Sequence, residues 1–162
     1  MSIDAASNNS RLIGVVLDPS SIGRTRPEIE HERDVAIFDL IESNRFALEA
    51  GPDGPYRMQI GIVEERLVLD VRDEGSLPLA ALQLPLGSFR RLIKDYFLVC
   101  ESYHEAIRTA PPSRIEAIDM GRRGLHDEGS QLLVDRLKGK AVLDFDTARR
   151  LFTLICALHW KG

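Results

Sequence analysis

The constraint that most limits how this chain can fold is a change of period at Pro85. Before it, apolar residues alternate with polar ones or form short runs bounded by turn residues. After it, they recur at three- and four-residue spacing almost to the end. In the front part, Leu12 to Leu17 is an apolar run of strand length, closed by the turn-forming Asp18-Pro-Ser-Ser21. Pro27 to about Asn44 is the one helical insertion, with Pro27 in its first turn and Glu28, Glu30 and Glu32 where a helix N-terminus favours acids. Gly51 to Pro55 makes a turn. Tyr56, Met58, Ile60 and Ile62 then alternate with polar residues, and Glu64-Glu65 separates them from Leu67, Leu69 and Val71 in a hairpin that lacks the preferred turn residues. A turn at Asp73-Glu-Gly-Ser76 and a short strand over Leu79 to Leu84 complete a mostly antiparallel meander.

Behind Pro85, Ser88 is placed to cap a helix running to about Thr109, stopped by Pro111-Pro112. Ser113 with Glu116 reads as a capping box for the next helix, which extends to Leu137 but contains Gly121, Gly124 and Gly129, so a break near Gly124 is expected. Asp146 is placed to cap a last helix, Thr147 to Trp160, apolar nearly all round beyond Arg150 and therefore central to the core. The expected fold class is α+β: a mostly antiparallel sheet from the N-terminal half with one inserted helix, packed on a C-terminal group of three to four helices.

A length of 162 residues, with 44% hydrophobic and 28% charged residues, suits one domain over residues 11–162 behind a polar, disordered tail over residues 1–10. No run approaches the roughly 20 apolar residues of a membrane helix, and the N-terminus lacks a secretory pattern. Cys100 and Cys156 sit in apolar helical patterns, which suits the reducing cytoplasm. The net charge of −4 argues against a nucleic-acid partner. It conceals an asymmetry, however. Residues 1–85 carry 8 basic and 15 acidic side chains, residues 86–162 carry 13 and 10. Either the halves pair internally, or the second half offers a positive surface to an anion.

Phosphate loops, dinucleotide fingerprints and nucleophile elbows are absent from the sequence, and the His-Glu pairs at His31 and His104 lack the second histidine of a zinc protease. The best candidate site is the stripe Asp119, Arg122, Arg123, His126 and Ser130, which fall within a narrow arc of one helix beside the apolar arc of Ile118, Leu125 and Leu132. Two guanidiniums beside an imidazole can hold a phosphate or carboxylate, with Gly121 and Gly124 permitting close approach. The structural alternative is that these charges pair with carboxylates of the front half. Arginine pairs recur at Arg90-Arg91 and Arg149-Arg150, in early helical turns where the dipole disfavours cations, so convergence of the three pairs is the test of a common anion site. Cys100 with His104 and Cys156 with His159 have a feasible zinc spacing, and Glu28-x-x-His31 with Glu101-x-x-His104 echoes di-iron bundles. Neither outweighs a core role for the cysteines and a surface role for the histidines, so no metal or cofactor is expected.

Asp18 with Ser21-Ile-Gly-Arg24, Glu30-His-Glu-Arg33, Ala36-Ile-Phe-Asp-Leu-Ile41, Gly54-Pro-Tyr-Arg57, Lys94-Asp-Tyr-Phe97, Ile115 to Leu125 and Asp144 to Cys156 together resemble uncharacterised protein family 0262 of alphaproteobacteria. The resemblance covers nearly everything after the tail. It implies a bacterial cytosolic protein and supplies no catalytic residue. From the residues themselves, the expectation is a binding or regulatory module whose arginine-rich helical face takes a small anion or an acidic protein partner. The alternative is a small acid–base or phosphoryl-transfer enzyme in which His126 moves the proton, Asp119 orients it and both arginines hold the anion. A third reading, a structural homo-oligomer, would leave Phe152 and Trp160 on a self-complementary surface.

Overall fold

Strand-period segments become strands wherever one face can be buried. The computed structural model describes residues 9–22 and 27–158. Strands β1 (Leu12–Leu17), β3 (Tyr56–Val63), β4 (Arg66–Asp73) and β5 (Pro78–Pro85) form one sheet in the order β1-β3-β4-β5. The last three make the expected antiparallel meander, with Ile60 opposite Leu69 and Leu69 opposite Leu82. Strand β1 runs parallel to β3, a pairing that needs a long crossover, supplied by helix α1 (Pro27–Glu42) and the short strand β2 (Phe46–Leu48). One face carries Tyr56, Met58, Ile60, Leu67, Leu69, Val71, Leu82 and Leu84, all buried. The opposite face is mixed, carrying Arg57, Gln59, Asp70 and Gln83 together with Val16, Val63 and Val68.

The β3–β4 turn is built from Glu64 and Glu65 with φ of 50° and 63°, the doubly left-handed backbone of a tight hairpin, although glycine or asparagine would normally stand there. Arg90 pairs with the Glu65 carboxylate, and the Leu86 amide donates to the Glu65 carbonyl.

Helices α2 (Gly87–Thr109) and α3 (Pro112–Leu137) pack as an antiparallel pair, and α4 (Phe145–Cys156) lies in contact with both α1 and α3. Their apolar faces join the sheet in one continuous core, with Phe89, Phe152, Leu133 and Leu151 fully enclosed. The fold is thus α+β. No helix among the described residues is long and apolar enough to cross a membrane.

Several boundaries differ from expectation, each for a local reason. Asn9 and Ser10 belong to the fold rather than to a tail: the Ser10 carbonyl accepts from the Phe46 amide. Helix α1 stops at Glu42 because Asn44 is used elsewhere. Its side-chain amide donates to the Leu40 carbonyl at the helix end and to the Leu12 carbonyl, and its Oδ1 accepts from the Leu12 amide at 2.7 Å. One side chain therefore terminates α1 and pairs with the start of β1. Ser88 and Ser113 do not cap: Leu86 and Pro111 hold those positions without side-chain bonds, and Ser88 accepts from Arg136. The last helix is capped by Asp144, whose carboxylate accepts from the Thr147 amide, not by Asp146, and it ends at Cys156. His159 and Trp160 lie outside the described residues. The three-residue strands β2 and β6 (Ala141–Leu143), which pair antiparallel, are too short to show a period in sequence.

Helix α3 runs unbroken for 26 residues through all three of its glycines. Gly121 and Gly124 face open space, whereas a Cβ on Gly129 would overlap the Phe152 ring. Close helix contact is therefore the role of Gly129 alone. Phe152, fully buried there, is not available to a self-complementary surface.

Two predictions follow from this packing. Gly129→Ala should destabilise the protein by about 1–3 kcal/mol through overpacking, whereas Gly121→Ala and Gly124→Ala should each stabilise it by about 0.5–1 kcal/mol through helix propensity; urea denaturation separates the two signs. Asn44→Ala should cost about 1–3 kcal/mol by leaving part-buried backbone groups of β1 unpaired, with unchanged far-ultraviolet dichroism and a lower denaturation midpoint.

Candidate functional site

The stripe expected on α3 exists, but its members divide into two groups. Asp119 accepts from Arg122 Nε at 3.0 Å and from Nη2 at 2.6 Å, and its second oxygen meets Arg123 Nε at 3.0 Å. These pairs lie within one helix, at the three- and four-residue spacing where side chains meet, and do not reach carboxylates of the front half. Arg122 is further fixed by the Tyr103 ring, 5.1 Å from its guanidinium carbon. The hydrogen bond from Arg122 holds the Asp119 carboxyl below the usual carboxylate range. Arg123, on the outer oxygen, keeps 69% of its side chain exposed.

His126 belongs to the second group. Its Nε2 lies 2.7 Å from Thr153 Oγ1, and the Thr153 hydroxyl donates its only proton to the Arg149 carbonyl at 3.2 Å. When the hydroxyl proton goes to that carbonyl, the imidazole donates through Nε2–H, so the roles in this pair follow the histidine tautomer. Among the described residues, Nδ1 is buried without a hydrogen-bond partner. The ring packs against Tyr96 and Phe152, with centroids 5.4 and 5.3 Å away. Burial, reinforced by the charges of Arg149 and Arg122, pushes its pKa down to about 4. Asp119 makes no contact with it, so the expected carboxylate-oriented imidazole is not assembled. Ser130 also leaves the group. It is fully buried, and its hydroxyl donates to the His126 carbonyl at 2.7 Å.

What the stripe borders is a cleft of about 490 Å³ where all four helices meet. From α3 come Arg122, Arg123 and His126; from α4, Asp146, Arg149, Arg150 and Thr153; from α2, Tyr96; and from α1, His31, Glu32, Val35, Ala36 and Asp39. Two of the three arginine pairs thus converge. The third does not, since Arg90 is bound to Glu65 at the hairpin. Arg149 Nε lies 3.6 Å from Asp127, and Arg150 donates to the Ser43 carbonyl at 2.9 Å. Sequence reasoning missed the α1 wall because its acids resembled ordinary helix-dipole residues. The only available signal was the seven-residue interval from Glu32 to Asp39, which puts both on one helix face.

The cysteines are buried free thiols. Burial raises Cys100 to about 11 and drives Cys156 well above its ordinary value, the reverse of an activated nucleophile. Among the described residues, no three His, Cys, Asp or Glu side chains are gathered as a metal would require.

Comparison with known proteins gives the family of the chain. The model of the uncharacterised protein family UPF0262 matches residues 9–161. The chain belongs to this family. A UPF0262 protein of Azorhizobium caulinodans is 61% identical over 155 residues, covering 94% of this chain and 96% of the relative. Others from Rhizobium leguminosarum bv. trifolii and Rhodopseudomonas palustris BisB5 are 60% and 58% identical, covering 97% and 96% of this chain and 99% and 95% of theirs. No solved structure matches. The UPF0262 name carries no chemistry, so the functional reading rests on the cleft.

The buried imidazole has a measurable consequence. An unfolded histidine binds its proton near pH 6.5 and native His126 only near 4. Between these values the unfolded chain holds the extra proton, so stability falls as pH drops from about 6.5 towards 4. His126→Gln should flatten that decline by up to about 1.4 kcal/mol per pH unit, measured by denaturant unfolding at pH 7 and pH 5. An equal slope in both proteins would contradict the neutral, buried state.

Proposed function

We propose that this UPF0262 protein is a cytoplasmic binding or regulatory module and that the four-helix cleft takes a small anionic ligand. The observation that carries this reading is the convergence of Arg122, Arg123, Arg149 and Arg150, from two helices, on one concavity of ligand size. Arg122 is committed to Asp119 and Tyr103, whereas the side chains of Arg123 and Arg149 stay largely or about half exposed. Exposed ion pairs of that kind are weak, so an anion with good geometry can take over their hydrogen bonds.

The acid–base alternative has less support. A general acid or base works best with a pKa near the operating pH, whereas burial holds His126 down to about 4 and its hydrogen-bond partner is a threonine. His126 instead fixes Thr153 and fills the cleft floor. The cytoplasmic assignment draws on the two buried free thiols.

The test is thermal melting against inorganic phosphate, nucleoside phosphates and dicarboxylates. A ligand at a hundred times its Kd adds about 2.7 kcal/mol of stability, a clear rise in Tm. The Arg123→Ala, Arg149→Ala double variant should melt normally alone and lose that rise. No shift with any member at saturating concentration would remove the anion reading.

A further inference from the structure

Strand β5 is an edge of the sheet, paired on one side only, with β4. The tight turn at Glu64 and Glu65 makes Val63 and Arg66 a hydrogen-bonded pair, and bonding alternates from there along both ladders. Leu67, Leu69 and Val71 therefore direct their backbone groups to Leu84, Leu82 and Ala80. Between those residues, Ala81 and Gln83 turn their N–H and C=O groups out of the sheet, and both are exposed. Among the described residues, none bonds to these outward groups. An open row of this kind recruits another strand unless charge or cover prevents it. Asn44 provides cover at the opposite edge, where it occupies both backbone groups of Leu12. The eight residues of β5 have neither that protection nor a charged side chain. Pro78, Pro85 and the irregularity opposite Val71 and Arg72 limit the open stretch to residues 80–84.

We infer that β5 is the interface with a second copy of this chain, the two β5 strands pairing antiparallel about a two-fold axis at Leu82 and joining the sheets into one. With Leu82 on the axis, Ala81 of each copy lies opposite Gln83 of the other, so both outward-facing residues find partners and each pair exchanges its backbone hydrogen bonds. The charges flanking the strand select a copy in this direction. The turn entering β5 carries Asp73 and Glu74 and no cation, whereas the first turn of α2, just beyond its end, carries Arg90 and Arg91 and no acid. In an antiparallel pair the start of one strand lies beside the end of the other, so each acidic turn falls beside a basic helix start. Parallel pairing would set acid beside acid. Arg90 already holds Glu65, but among the described residues Arg91 and Glu74 are in no ion pair. This interface is independent of the anion reading of the cleft.

Sedimentation equilibrium of the full chain across micromolar concentrations tests this. The expected result is a reversible dimer. Gln83→Pro removes an N–H that points away from β4, so it should leave the protomer folded and weaken the dimer about tenfold or more. Ala81→Lys, which places a charge on the open edge without touching the backbone, should do the same and answers the question if the proline variant does not fold. Native far-ultraviolet dichroism in either variant separates loss of pairing from unfolding. Glu74→Arg should also weaken the dimer, and adding Arg91→Glu should recover it. A single-chain mass at every concentration overturns the interface. A dimer of unchanged affinity in the edge variants overturns it too, because the copies would then meet elsewhere. Failure of the charge exchange to recover the dimer overturns the antiparallel arrangement.

Discussion

The architecture depends on how closely α3 and α4 approach at Gly129. Without a side chain there, α3 lies directly on the Phe152 ring, a contact any Cβ would obstruct. One helical turn to the N-terminal side, this approach brings His126 within hydrogen-bonding distance of Thr153. A further turn brings Arg122 and Arg123 alongside Arg149 and Arg150 at the rim of the same cleft. A wider spacing would leave the histidine without its threonine and the arginine pairs on separate surfaces. Packing density in the core thus fixes electrostatic geometry at the surface.

The charges are arranged to remain partly available. Asp119 serves two guanidiniums from its own helix, and aromatic packing from Tyr103 immobilises the inner one. Depth grades the rest: Arg123 and Arg149 reach solvent, while the imidazole is enclosed by Tyr96 and Phe152 and held neutral. At the cleft floor the imidazole is uncharged, while the partly buried Arg122 and the more exposed Arg123 and Arg149 carry the positive charge around it. That distribution suits recognition better than proton transfer.

The periods of two and of three to four residues before and after Pro85 made the meander, the inserted helix and the long helices legible, because one buried face imposes its rhythm on the sequence. The caps were less legible. Serines at 88 and 113 and the acid at 146 suit capping chemically, yet the cap position lies two residues earlier each time, at Leu86, Pro111 and Asp144. Local capping preferences differ by less than tertiary packing can override. Gly121, Gly124 and Gly129 look equivalent in sequence, and only the neighbouring helix distinguishes them. Similarly, the arginine stripe announced itself by composition, whereas Asp39, Tyr96 and Thr153 became its neighbours through topology, which no local pattern records.

The small β2–β6 ladder has a consequence for how the cleft behaves. Strand β2 follows α1 and β6 precedes α4, so the ribbon ties the end of one cleft wall to the beginning of another. Thr147 accepts from the Arg45 amide at 2.9 Å, and Arg150 donates to the Ser43 carbonyl, which fastens the same junction with contacts more than 100 residues apart in sequence. The two walls cannot hinge apart at that end without breaking backbone pairing. The ordering entropy of these two walls is therefore spent during folding, and any molecule entering between them would meet a cavity already organised at that end.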